Sequence, residues 1–169
     1  MDFLKAALKI FELDEGRGPP GREGFPYLDT KGNWTIGIGH LIGKDLKNLH
    51  LSDKVIELLF AEDFARHEQD AALSIGVSTY ASLNQPRQLA LISLVYTMGF
   101  AKFQLWIDTI AAIKASNWEK VSDNILQSKW ARDVDPRQRD GVGRDDRIAY
   151  MFRCGHFHPD YKIEGPHAI

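Results

Sequence analysis

Two carboxylates and a hydroxyl are the residues of this chain whose types and spacing could do chemistry. Glu15 sits in Asp14-Glu15-Gly16, and Asp29 and Thr35 sit in Tyr27-Leu28-Asp29-Thr30-Lys31-Gly32-Asn33-Trp34-Thr35-Ile36-Gly37-Ile38-Gly39-His40. Paired carboxylates are what glycosidic cleavage uses: one protonates the leaving oxygen and the other handles water or attacks the sugar. Inversion needs the two carboxyl groups ~6.5–9.5 Å apart, whereas ~5–5.5 Å favours retention. Glu15 is expected at the C-terminal end of a helix. The negative end of the helix dipole and partial burial would both disfavour its ionised form there, which suits a general acid. Glu12 is the rival acid, on the polar side of the same helix. Asp29 stands just before the Lys31-Gly32 turn, a place where Asp also serves as a simple turn former. Thr35 is at home in strands on propensity alone. Its alternation nevertheless sets it opposite Trp34 and Ile36, so its hydroxyl can share a side with Asp29 and help hold a water. Gly37 and Gly39 on that face predict close approach of a substrate or another backbone.

The elements that must position these groups follow from periodicity. Residues 2–14 read as an amphipathic helix carrying Phe3, Leu4, Ala7, Leu8 and Phe11, ended by Gly16. Arg17 to Pro26, rich in proline and glycine, is loop. Phe25 to Leu41 is a small antiparallel sheet with its turn at Lys31-Gly32, too small to stand without helices to pack on. Ser52 opens a helix running to about Leu73, with Ile56, Leu59, Phe60 and Phe64 on one side. Gly76–Ser82 is a break, and Asn84-Gln85-Pro86 starts a helix whose Leu89–Tyr96 stretch is apolar nearly all round, as expected at a bundle centre. Further helices are expected at about 103–115, 117–128 and 143–153, the last closed by Gly155. The tail after His158 carries no clear element. The fold class is α+β: a small antiparallel β lobe packed on a predominantly helical lobe, with a cleft between them.

Composition narrows the classes. At 169 residues the chain is one domain with a core large enough to need no staples. Lys and Arg number 21 against 23 Asp and Glu, with a pI near 6.3, so nothing points to nucleic acid. Near-neutrality also gives no help in adhering to an anionic surface. The cations of the C-terminal stretch (Lys129, Arg132, Arg137, Arg139, Arg144, Arg147, Arg153) are interleaved with aspartates, so they read as a solvated face of mixed sign. The single Cys154 excludes an internal disulfide and fits a reducing compartment. The first residues do not read as a signal peptide, and no apolar run reaches the ~18 residues of a membrane helix. Cys154, His156, His158 and Asp160 have ligand-like spacing, but a terminal tail rarely makes ligands converge, and no metal is expected. Cys154 is read as a small packing residue. Trp106, Trp118 and Trp130 could stack on sugars; in a helical lobe the core is the expected place for them.

The pattern Glu-Gly … Asp-Thr-x-Gly-x-x-Thr-Ile-Gly-x-Gly-His resembles the phage-type lysozymes, the T-even type most closely. Weaker similarity extends from about Leu8 to Tyr161. It includes Leu58-Leu59-Phe60-Ala61-Glu62-Asp63, Met98-Gly99, Trp118, Ser128-Lys129-Trp130 and Phe152-Arg153-Cys154-Gly155. The resemblance implies one lysozyme domain over 1–169: a β lobe at about 12–52, an inter-lobe helix at about 53–74, and a helical lobe from 1–11 and 75–161. It implies Glu15 as general acid, with Asp29 and Thr35 directing the water, and Leu41, Tyr96, Thr109 and Asn124 lining the sugar cleft. It further implies that Arg144 pairs with the catalytic Glu, opposing the pKa rise argued above, and that His40 and Asp63 form a structural ion pair. The implied activity is cleavage of the β-1,4 bond between N-acetylmuramic acid and N-acetylglucosamine, without cofactor or metal. The implied biology is a monomeric phage endolysin that binds peptidoglycan glycan strands and neither nucleic acid nor membrane. It would wait in the host cytoplasm and depend on a holin to reach the wall in the periplasm. A lytic transglycosylase, a wall-binding module without catalysis and a virion tail protein are the alternatives. Three departures stand out. The segment between Glu15 and Asp29 is longer than in that type, so Arg17–Pro26 reads as a loop insertion and Glu23 becomes a rival second carboxylate. Thr97 replaces a glutamine, and the stretch before Arg144 is extended.

Overall fold

The computed structural model describes residues 3–20, 24–43, 51–134 and 142–163. The chain forms two compact units, Asp2–Arg66 and His67–Ile169, the latter joined by Met1. The architecture is α+β, mostly helical with one three-stranded antiparallel sheet. Glu23 lies outside the described residues, as do Arg137, Arg139, Asp135 and Asp140.

In the first unit, α1 (Phe3–Glu15) buries Ala6, Ala7, Ile10 and Phe11. This face is rotated from the one expected: Leu4 is exposed, and Ile10 takes the inward place. The cause is the partner. Phe11 meets the rings of Phe60 and Phe64 at 5.5 and 6.3 Å, and Phe3 meets Phe64 at 5.6 Å. Offset and edge-on aromatic pairs of this kind add attraction beyond area burial. Residues 1–11 were expected with the helical lobe; the aromatic contacts of α1 run instead to the part of α2 (Asp53–Ile75) that belongs to the first unit. Gly16 ends α1 with φ +71° and an N–H bond to the Glu12 carbonyl (3.0 Å), a left-handed stop for which glycine is suited.

The sheet has the order β1 (Tyr27–Leu28), β2 (Trp34–Ile36), β3 (His40–Gly43). Tyr27 pairs with Thr35 and Leu28 with Trp34. The expected alternation along 34–39 fails in two places. A register shift between Trp34 and Thr35 breaks the β2–β3 ladder, so Thr35 and Ile36 are both buried while Trp34 is only partly so. Such irregularities re-aim side chains. The strand then stops at Ile36, and Gly37-Ile38-Gly39 is a turn with φ +59° and +72° at its glycines. What approaches these glycines closely is the protein's own side chains. A Cβ at Gly37 would lie 2.9 Å from Ile56 Cγ2, and one at Gly39 would lie 3.4 Å from Glu15 Oε2.

The Arg17–Pro26 segment is tied down at its ends. Arg17 Nε pairs with Glu12 at 2.6 Å, and its guanidinium also reaches Asp53 and Glu57 at 3.4 and 3.6 Å. Gly24 donates to the Arg17 carbonyl (3.3 Å) and accepts from the Leu51 N–H (2.7 Å).

The second unit contains α3 (Val77–Ser82), α4 (Gln85–Met98), α5 (Phe100–Phe103), α6 (Ile107–Lys114), α7 (Trp118–Leu126), α8 (Lys129–Val134) and α9 (Arg144–Cys154). The expected break at Gly76–Ser82 is confined to Gly76, after which α3 forms. The expected helix at 103–115 is split: α5 ends at Phe103 and α6 begins at Ile107. α8 was not anticipated, nor was the 3-10 turn Pro159–Tyr161 in the tail. As expected, Leu89 to Val95 of α4 is buried all round, and the Asn84 side chain caps α4 by accepting the Arg87 N–H. Asn84 also donates to the Gly155 carbonyl (2.8 Å), and Arg87 Nε donates to the Phe152 carbonyl (2.9 Å), so α4 and the end of α9 share hydrogen bonds.

Two glycine substitutions separate conformational strain from collision. Gly24 has φ +81°, and a Cβ there would collide with the Leu51 carbonyl oxygen; Gly32 has φ +78°, and a Cβ there would meet none of the described residues within 4 Å. Gly32→Ala should cost about 1–2 kcal/mol, the left-handed penalty alone. Gly24→Ala should cost distinctly more, measured by denaturant unfolding. Equal losses would show that the Gly24–Leu51 approach is not a constraint.

Candidate active site

Glu15, Asp29 and Thr35 all belong to the first unit, and local backbone geometry sets each of them. Asp29 is gripped by the turn it opens. Its Oδ1 accepts from the backbone N–H groups of Lys31 and Asn33, both at 2.8 Å, and its Oδ2 accepts from Asn33 Nδ2 at 3.2 Å. These bonds favour the ionised carboxylate and hold its pKa below the usual range, with the Asn33 backbone bond the largest cause. The turn-former role that the sequence offered as an alternative is therefore real. It also leaves the carboxylate anionic.

Thr35 is joined to Asp29 through the same residue. The Asn33 carbonyl accepts from the Asp29 N–H at 2.9 Å and from Thr35 Oγ1 at 3.4 Å. Thr35 is 5% exposed, more enclosed than its place in an alternating strand led one to expect. Asn33, which sequence reading passed over, links the two; the Asx-turn spacing from Asp29 was the available signal.

Glu15 is the last residue of α1, as expected, and is half-buried. Its carboxylate packs against Gly39, where a Cβ would meet Glu15 Oε2 and Cγ at 3.4 Å. Tyr27 connects this acid to Asp29. Its phenol pKa is raised, first by burial and then by the negative charges of Glu15 and Asp29, while the Gly39 N–H donates to the phenol oxygen. Both carboxylates are thus within electrostatic reach of one hydroxyl. Tyr27 was quoted in the motif but given no role.

His40 Nδ1 and Asp63 Oδ2 lie 2.6 Å apart, and Arg66 Nη2 donates to Asp63 Oδ1 at 2.6 Å. Asp63 is 8% exposed, so this contact joins β3 to α2 inside the unit beside the candidate site. Glu12, the rival acid, is occupied by Arg17.

The remaining residues are dispersed. Leu41 is on β3 of the first unit, 62% exposed. In the second unit, Thr109 on α6 and Asn124 on α7 line one pocket of about 490 Å³ with Trp106, Asp108, Gln127 and Ser128. Asn124 Nδ2 is buried there and makes no hydrogen bond to the described residues. Tyr96 is not part of that lining; it stacks on His67 at 4.7 Å between ring centres. Arg144 heads α9 and donates to Thr97 Oγ1 at 3.4 Å. Of the tryptophans, Trp130 is buried and edge-on to Trp106, and Trp118 lies under the Arg87 guanidinium at 4.1 Å. Cys154, expected as a packing residue, is exposed at the end of α9.

Comparison with known proteins identifies relatives of the whole chain. The chain is 29% identical over 152 residues to a probable T4-type lysozyme 2 of Dictyostelium discoideum, covering 76% of this chain and 85% of that protein. It is 26% identical over 127 residues to the probable T4-type lysozyme 1 of the same organism, covering 62% of this chain and 75% of the relative. A third match, 26% identical over 160 residues and 82% of this chain, is to the pre-baseplate central spike protein Gp5 of Enterobacteria phage T4, of which it spans only 26%. The phage lysozyme profile matches residues 20–144, which include Asp29, Thr35, His40, Asp63, Thr109 and Asn124. The chain belongs to the phage lysozyme family.

Proposed function

We propose that this protein is a muramidase that hydrolyses the β-1,4 bond between N-acetylmuramic acid and N-acetylglucosamine in peptidoglycan. The observation that carries the reading is the shared environment of Glu15 and Asp29 around Tyr27 and Gly39, in a chain of the phage lysozyme family. Glu15 protonates the leaving oxygen. Asp29, kept anionic by its three N–H donors, takes a proton from the attacking water, and Thr35 helps to hold that water. A carboxylate that directs water, and does not itself attack the sugar, implies inversion with no covalent intermediate. Thr109 and Asn124 contact the glycan from their shared pocket, with Leu41 and Tyr96 as further sugar contacts. Arg144 and the His40–Asp63 pair are supporting residues, the pair a structural one. No cofactor enters the reaction.

In biology, the reading is a phage endolysin, monomeric, held in the host cytoplasm until a holin opens the way to the wall. No helix among the described residues is long and apolar enough to cross a membrane. The match to the central spike protein favours one second reading: a lysozyme domain carried by the virion. Immunodetection in purified particles distinguishes it from a freely released enzyme.

Release of reducing muramyl ends from purified peptidoglycan tests the function. Glu15→Gln keeps the shape and removes the acid proton, so turnover should fall about 10²–10⁴-fold with the melting temperature nearly unchanged. Near-normal turnover would take Glu15 out of the mechanism, and anhydro ends would replace hydrolysis with a lytic transglycosylase. Asp29→Ala should lower the rate about a hundredfold or more, and Thr35→Ala should lower it less. The acid limb of the pH–rate profile should respond to Asn33→Ala. Asp29 is active when ionised and its pKa is depressed, so its activity is retained above that pKa and lost as pH falls through it. Removing the Asn33 side-chain donor raises the pKa and moves the acid limb to higher pH, only partly, because the backbone bonds persist. An unmoved limb would mean that it reports another group.

A further inference from the structure

We infer that Tyr27 is a positioning residue for the attacking water: its phenol O–H, oriented by the Gly39 N–H, donates to the water held by Asp29 and Thr35. The inference rests on the hydrolase reading and adds the donor which that reading lacks.

The register of the sheet supplies the geometry. Tyr27 on β1 is directly opposite Thr35 on β2, so the two side chains share a face with Cβ atoms about 4.5–5.5 Å apart. Asp29 follows two residues after Tyr27 and is bound to the Asn33 carbonyl that also accepts from Thr35. Gly39 brings Glu15 to the same place, since its N–H donates to the phenol oxygen while its Cα faces Glu15 Oε2.

Hydrogen-bond chemistry then assigns the role. Thr35 spends its proton on the Asn33 carbonyl, so toward a water its oxygen can only accept. Asp29 is an acceptor for the same reason that it is a base. These two satisfy both protons of a water but do nothing to aim its lone pairs. A phenol whose oxygen accepts from Gly39 still carries its O–H as a donor. Burial and the two neighbouring carboxylates raise its pKa, so that proton stays in place. With Tyr27 donating to one lone pair, the other is left to face the anomeric carbon. On attack, the water oxygen bonds to that carbon and the glycosidic C–O bond breaks. Glu15 gives its proton to the leaving oxygen, Asp29 takes one from the water, and Tyr27 keeps its own.

Tyr27→Phe removes the donor and keeps the ring. With purified peptidoglycan as substrate, kcat should fall about tenfold to a hundredfold while KM stays within about twofold. In an Asp29→Ala background the same substitution should cost little more, because both side chains act on one water. Placing 3-fluorotyrosine at position 27, which perturbs the ring but retains the O–H, should keep most of the rate and so separate donation from packing. Unchanged kcat in Tyr27→Phe, full multiplication of its loss with that of Asp29→Ala, or an equal loss in the fluorotyrosine variant would each overturn the inference. Absence of hydrolysis by the wild type would refute the hydrolase reading itself, whereas an active wild type with an unaffected Tyr27→Phe refutes the role of Tyr27 alone.

Discussion

Asn33 carries the interaction on which the candidate site depends. Its backbone N–H and side-chain amide bind the two oxygens of Asp29, and its carbonyl accepts from both the Asp29 N–H and the Thr35 hydroxyl. A short turn thereby does three things at once. It sets the direction of the Asp29 carboxylate, keeps it ionised, and turns the Thr35 oxygen into an acceptor. Each bond is worth only ~1 kcal/mol to stability, more where the carboxylate is charged. Their value for chemistry is larger, because a group misplaced by about 1 Å can cost a hundredfold in rate.

The other carboxylate is positioned by exclusion. Gly39 offers no side chain, so Glu15 at the end of α1 can pack against the turn between β2 and β3. Gly37 gives the same freedom to Ile56, which draws the turn onto α2. Aromatic packing of Phe11 on Phe60 and Phe64 fixes α1 from below, and the His40–Asp63–Arg66 contacts hold β3 to the same helix. Helix end, turn and strand are thus referred to one common support, the first half of α2.

Much of this was legible from residue order, and the failures have physical causes. Glu15 at a helix end, the Asp29 turn and the all-round burial of Leu89–Val95 follow from local signals that tertiary packing left intact. The strand through Gly39 did not survive, because two glycines with positive φ make a turn where alternation alone counted a strand. The register shift after Trp34 is invisible to a period-two pattern, and it is why Thr35 is buried beside Ile36 instead of opposite to it. α8 and the split between α5 and α6 involve pieces of four to eight residues, too short for periodicity to define. Asn33 and Tyr27 were missed for another reason: their importance lies in which atoms they face, and composition carries no sign of that.

The family is that of the phage lysozymes, and in the mechanism proposed for this chain water, not Asp29, attacks the sugar. The anomeric configuration of the first product reports on this most directly. Proton NMR of a soluble β-linked peptidoglycan fragment, recorded before mutarotation, should show the α anomer at the new reducing end. A β anomer appearing first would mean retention through a covalent or assisted intermediate, and would contradict the role given to Asp29 and its Asn33 clasp.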